Sequence, residues 1–432
     1  MRKSQMKVVT ILAMALLAIA TPLAGAQTYT ILHDFTDSPD GAVPNPLIRD
    51  AQGNFYGTTA YGGLASCGKG TCGTVFKIDN AGHETVLYRF TGGDNGTNPV
   101  AGLVRDAKGN LYGTTQGNGF IGGQSVIFKV DPKGQQTVLY IADTQQASSL
   151  DSPLALDAQG NLYGMSPYGG DQSCSVDGGC GTLFKLTPSG KFKVLHVFKG
   201  KDGIQPEGGV VLDAQGNIYG TASTGGKLSC DYPGWGQNFE TGCGTIYKLD
   251  RSGKFTILHT FTGPVDGSDP LGLTIDSAGN LYGIAGSGCD IAGNYIYGLG
   301  TVFEVDTSGK FSVLFTFTPE TTLNYVYAKH LLKDSKGNLY GVQEYNNCEH
   351  AAGCLFRIDT EGKYTDLYDF DSQQSGGGFF FSMGLILGSD GSFYGNTPVG
   401  GNNNGRGDCT QNCGTVFHLA LSAEPNAALD TP

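Results

Sequence analysis

Lys329 and His330 are neighbours in the sequence, with Glu344, Glu349 and His350 following closely. A histidine and carboxylates that converge can act as acid and base. A second group, Tyr232, Trp235 and Phe239, lies between Cys230 and Cys243 and includes the only tryptophan. Exposed rings of this kind stack on sugars, whereas rings packed inward would fill the loop's own small core. A third feature is the dipeptide Asp-Gly at Asp40-Gly41, Asp202-Gly203 and Asp266-Gly267. Aspartates can ligate calcium, but Asp-Gly is first of all a turn signal. His33, His196 and His259 share one repeat position with Tyr88 and Tyr368, which marks that position as structural.

Ten of the eleven cysteines fall into five local pairs: Cys67/Cys72, Cys174/Cys180, Cys230/Cys243, Cys348/Cys354 and Cys409/Cys413. In an exported chain such pairs read as disulfides. Zinc is the rival reading, but no Cys-x-x-Cys occurs and no pair has a second ligand pair nearby. No metal and no cofactor are expected. Cys289 is left over, as a buried thiol, an intermolecular link or a residue without consequence.

The elements that must position these residues are set by a repeat. Gly53-Asn54-Phe55-Tyr56-Gly57 recurs as Gly109–Gly113, Gly160–Gly164, Gly216–Gly220, Gly279–Gly283 and Gly337–Gly341, then in degraded form as Gly391-Ser392-Phe393-Tyr394-Gly395. A near-constant spacing of this size signals a propeller, solenoid or array. Each copy carries four strand-like segments rich in β-branched and aromatic residues, bounded by Gly, Asp and Asn. The third is Gly73-Thr74-Val75-Phe76-Lys77-Ile78 and its copies; the fourth is Thr85-Val86-Leu87-Tyr88-Arg89-Phe90 and its copies. Near-continuous apolar runs mean that both sheet faces are covered, as in a propeller blade.

Segment order predicts closure. Thr30-Ile31-Leu32-His33-Asp34-Phe35 is a fourth segment with no blade before it, and Gly414-Thr415-Val416-Phe417-His418 is a third segment with no fourth after it. The expected fold is all-β: a seven-bladed propeller of four-stranded antiparallel blades over residues 27–420, closed by the N-terminal strand joining the last blade. First segments would line the central channel, where His330 aligns with Gly102, Gly209 and Gly272. The loops after segments two and four would share one face, and those after segment two would carry the cysteine pairs. His330 and its neighbours then read either as a convergent site or as drift at a solvated channel mouth.

The phrases Gly-Asn-Leu-Tyr-Gly-Thr-Thr, Gly-Thr-Val-Phe-Lys, Leu-Tyr-x-Phe-Thr-Gly and Asp-Gly-x-x-Pro, recurring in register over nearly all of residues 28–420, resemble the GloVer repeat of choice-of-anchor tandem repeat GloVer-containing proteins. The resemblance implies an exported bacterial β-propeller and brings no activity with it. Relatives often carry a C-terminal anchoring or sorting module. Here residues 421–432 form a short polar tail with no apolar span.

Residues 1–26 read as a signal peptide: Arg2, Lys3 and Lys7, an apolar run from Val8 to Ala20, then Ala24-Gly25-Ala26 before Gln27. No Cys follows for lipid anchoring and no later stretch would span a bilayer. The formal charge of −12 becomes −15 without the three basic residues of 1–26. An acidic chain with no basic run is unsuited to nucleic acid. Gly-x-Ser-x-Gly, His-Glu-x-x-His and P-loop motifs are all missing from the sequence. The leading expectation is a secreted or periplasmic non-catalytic binding or scaffold module for a protein or glycan. The alternative is a carbohydrate-active hydrolase or lyase working from the loop face. Site candidates are Tyr232, Trp235, Phe239, Lys329, His330, Glu344 and His350.

Overall fold

The computed structural model describes residues 27–64, 72–117, 124–143, 145–174, 178–226, 242–263, 265–289, 295–296, 300–318, 331–344, 351–371, 384–398, 400–401 and 413–421. They form seven antiparallel sheets of four strand positions each, and in six of them the strands follow chain order across the sheet. Blade three shows the plan: Ala155–Leu156, Leu162–Ser166, Thr182–Leu186 and Phe192–Val197. In blade one the inner strand is split into Ala42–Pro44 and Ile48–Arg49, and blade five adds the short Tyr295–Ile296. Among the described residues the only helical turn is Gly93–Asn95, and no helix is long and apolar enough to cross a membrane.

Blade seven is built from both ends of the chain. Leu385–Leu387, Phe393–Thr397 and Thr415–Ala420 are completed by Thr28–Asp34 as the outer strand. Thr30 lies opposite His418, and Ile31 opposite Phe417. This strand carries the same β-bulge as the other outer strands. The ladder skips Leu32 as it skips Leu87, Leu139, Leu195, Leu258, Leu314 and Leu367. A shared bulge imposes a shared bend, so the borrowed strand fits the seventh outer position as the native ones fit theirs.

The core sits between blades. Seven apolar clusters each join residues of two neighbouring blades, and one of them joins Phe35 and Val416 of blade seven to Leu47, Phe55 and Phe76 of blade one. An open row of seven blades would have six such interfaces; seven requires a ring, which leaves no end blade uncovered.

The repeat's glycine and phenylalanine require each other. A Cβ at Gly164 would stand 2.5 Å from the Phe184 ring, and one at Gly57 2.6 Å from Phe76. Only glycine lets the third-strand ring lie flat across the second strand.

Candidate functional site

The connections between first and second strands form one face of the ring. In blade three, Asp157 Oδ1 accepts the backbone N–H groups of Gln159 and Asn161 at 3.0 and 2.8 Å. Its Oδ2 accepts from Asn161 Nδ2 at 2.7 Å and from the Tyr163 hydroxyl at 3.0 Å. Asp50, Asp106, Asp213, Asp276 and Asp334 hold the corresponding Asn and Tyr in their own blades. Burial alone would raise the Asp157 carboxyl. The four donors outweigh it and hold the group below the usual carboxylate range. The Tyr112 hydroxyl moves the other way, to about 12, through burial and its bond to Asp106.

Cations tie this face together from blade to blade. Arg105 of blade two lies over the ring of Tyr56 in blade one, and Lys333 of blade six over Tyr282 in blade five. Arg49 of blade one lies over Tyr394 of blade seven, 4.6 Å from the ring centre, across the closing seam. Lys333 Nζ also donates to Asp276 Oδ2 at 2.6 Å.

The other face carries the loops after the second and fourth strands. Here the Asp-Gly turns and the recurring histidines prove to be partners. His33, His196 and His259 place Nε2 at 3.1, 2.8 and 2.8 Å from Oδ2 of Asp40, Asp202 and Asp266. The second oxygen of Asp40 accepts from the Thr36 amide and hydroxyl, and that of Asp266 from the Thr262 amide and hydroxyl. Burial would raise Asp266; the bonds from His259 and Thr262 prevail and lower it. These carboxylates thus lock the passage from one blade to the next. The sequence carried a usable signal, because the histidine and the Asp-Gly occur in the same three repeats.

The disulfides belong to the same joint. Cys174 and Cys180 are bonded, with Cα atoms 5.3 Å apart. Cys72, Cys243, Cys354 and Cys413 are also disulfide-bonded, while Cys67, Cys230, Cys348 and Cys409 lie outside the described residues. The carbonyl of Cys180 accepts the N–H of Gln205 in the next blade at 3.1 Å. Cys72 does the same for Asn98, Cys243 for Asp269 and Cys413 for Val43. Each acceptor's partner has positive φ and precedes a proline. That proline packs on the glycine after the cysteine: a Cβ at Gly181 would stand 2.4 Å from Pro206 Cδ. Cys354 departs from the expected loop placement. Blade six has a longer third strand, Ala351–Ile358, and Cys354 lies within it opposite Gln343.

The profile of the Gloeobacter/Verrucomicrobia repeat matches residues 20–231 and 179–417. The chain belongs to this family. No curated protein matches it. Among solved structures the Gloeobacter/Verrucomicrobia repeat protein is similar to a streptogramin B lyase, with 15% identity, TM-score 0.55, and coverage of 91% of this chain and 98% of the lyase. It is also similar to a catalytically inactive virginiamycin B lyase from Staphylococcus aureus with quinupristin, with 13% identity, TM-score 0.55, and coverage of 91% and 100%. At such identity the likeness is one of fold.

In this Gloeobacter/Verrucomicrobia repeat chain, Tyr232, Trp235, Phe239, Lys329, His330 and His350 lie outside the described residues. Glu344 closes the strand Leu339–Glu344, where its backbone pairs with Gly353 at the loop-face end; its side chain lies outside the description, as does that of Cys289. Among the described residues no three His, Cys, Asp or Glu side chains gather as metal ligands. A cleft of about 120 Å³ opens on the opposite face, lined by Asp334, Lys336, Arg357, Asp390 and Leu421 among others. It lies between blades six and seven. In blade seven the third and outer strands come from different parts of the chain, so no hairpin turn covers that end. Its carboxylates are engaged in their own turns, Asp334 by Asn338 and Tyr340, and Asp390 by Ser392.

Proposed function

We propose that the protein is an exported, non-catalytic binding module whose loop face docks a protein or glycan. The observation that carries this reading is where the recurring reactive groups are spent. The repeated Asp, Asn and Tyr of the turn face satisfy one another, and the repeated His and Asp of the loop face lock blade to blade. What remains specific to single blades is the sequence between the second and third strands beside the cysteine-anchored joints. Variable loops on a rigid ring are where recognition concentrates. Tyr232, Trp235 and Phe239 are the proposed contacts for a sugar ring or an apolar protein patch. The five cysteine pairs and the signal-like segment 1–26 support an oxidising destination outside the cytoplasm.

A second reading, a carbohydrate-active hydrolase or lyase, is favoured by one observation. The second strand of blade six delivers Glu344 to the loop-face end, near the chain positions of Lys329, His330 and His350. The test is a glycan array run beside turnover assays on the same panel, with residues 27–432. Binding without turnover, weakened at least tenfold by Trp235→Ala, supports the module. Turnover abolished by His330→Ala or Glu344→Gln replaces it with the enzyme.

A further inference from the structure

A belt of stacked rings runs around the outer rim. The first residue of one outer strand, or the second in the borrowed strand Thr28–Asp34, meets the fifth residue of the preceding blade's outer strand. Tyr140 stacks on Phe192 at 4.0 Å, His196 on Phe255 and His259 on Phe311 at 3.6 Å each, Phe315 on Tyr364 at 5.3 Å, and Tyr368 on Tyr29 at 5.9 Å. Five of the seven junctions are sealed this way. The junction between blades seven and one is not: there Glu84, the first residue of the outer strand of blade one, stands where the other strands carry a ring, and it interacts with His33 of the borrowed strand.

Glu84 Oε1 is buried and has no hydrogen-bond partner. Three charged or titratable groups face the carboxyl. His33 comes from the borrowed N-terminal strand, Asp40 from the turn that follows it, and Arg89 from the strand of Glu84 itself. Asp40 is committed to His33 and Thr36, and Arg89 donates Nε to the Pro39 carbonyl at 2.9 Å. A second carboxylate beside Asp40 lacks the donors it would need when ionised.

We propose that Glu84 and His33 make the contact between the borrowed N-terminal strand and blade one a pH-sensitive latch, tight while Glu84 holds its proton and loosened when it ionises. Burial, with the Asp40 charge adding to it and His33 and Arg89 opposing, raises the Glu84 carboxyl to about 7. The folded value exceeds the unfolded one, so the carboxyl's favourable share of stability is present below pH ~4.5 and is lost as pH rises towards 7. The latch therefore loosens across the neutral range, on the side of the borrowed strand that faces blade one, while its pairing with Thr415–Ala420 closes the ring.

Hydrogen exchange of the intact protein tests this. Corrected for intrinsic rates, the amides of Thr28–Asp34 should exchange about tenfold faster at pH 8 than at pH 5.5, while those of Phe255–Thr260 change little. Glu84→Gln should remove that difference. Glu84→Phe, which restores the ring found at other junctions, should remove it and raise Tm by roughly 2 °C. The His196 and His259 pairs remain in every variant and serve as internal controls. Equal pH response in wild type and Glu84→Gln, or equal loosening of both outer strands, would overturn the latch.

Discussion

The amide of Gln205 donates to the carbonyl of Cys180 across the boundary between the third and fourth blades. A cysteine pair that reads in sequence as a local loop staple thus also fixes the atom on which the next blade hangs. The same relation joins Asn98 to Cys72, Asp269 to Cys243 and Val43 to Cys413, the last across the closing seam.

Replacing Cys174 and Cys180 together by serine should lower stability by about 2 kcal/mol, the scale for releasing so short a loop. Because the joint is shared, protection should fall in Ile204–Leu212 as well as in the released loop. Urea unfolding and hydrogen exchange read the two effects; loss confined to the loop would reduce the cysteines to local staples.

Asp157→Ala should cost more than Tyr163→Phe. The first strands several donors at one turn, about 2–4 kcal/mol, whereas the second loses one bond, about 1 kcal/mol. Urea midpoints provide the comparison, and equal losses would mean that the turn does not depend on the carboxylate.

Acid should unfold the ring through these same aspartates. Asp106, Asp157, Asp213, Asp202 and Asp266 all sit below the usual carboxylate range. Their folded values lie below the unfolded ones, so the stability they add is present above pH ~4 and is lost as pH falls further. Urea midpoints between pH 5 and 2.5 should drop steeply, and Asp157→Asn should show a shallower slope than wild type.

His259→Phe and His259→Ala separate the two roles of that ring. Phenylalanine keeps the stack on Phe311 and leaves Asp266 without its imidazole donor; alanine loses both. The alanine variant should be less stable by a further ~1 kcal/mol. Thermal unfolding of the two variants decides it, and equal Tm values would show that the stack adds nothing.

Blade count, strand content and ring closure were legible because repetition calibrates them. An orphan fourth segment at Thr30–Phe35 and an orphan third segment at Gly414–His418 can be matched by inspection. The His33–Asp40 bond left only a fainter signal, the shared occurrence of histidine and Asp-Gly in three repeats, because it spans a turn whose geometry no periodicity reports. The cation ties were hidden for a related reason: Arg105 and Lys333 act on tyrosines of the preceding blade, half a hundred residues away in sequence. Tyr232 and Trp235 belong to a stretch of sequence that occurs once, and His330 replaces glycine at a recurring position, so no second copy separates a recognition role from packing.

Cross-linking across the seam tests the ring most directly. Thr30 and His418 face each other in the borrowed pairing. Mild oxidation of a Thr30→Cys, His418→Cys double variant should give an intramolecular disulfide between those two positions, mapped by mass spectrometry, and a more stable monomer. A bond formed only between molecules, or none while the protein remains folded, would contradict closure by the N-terminal strand.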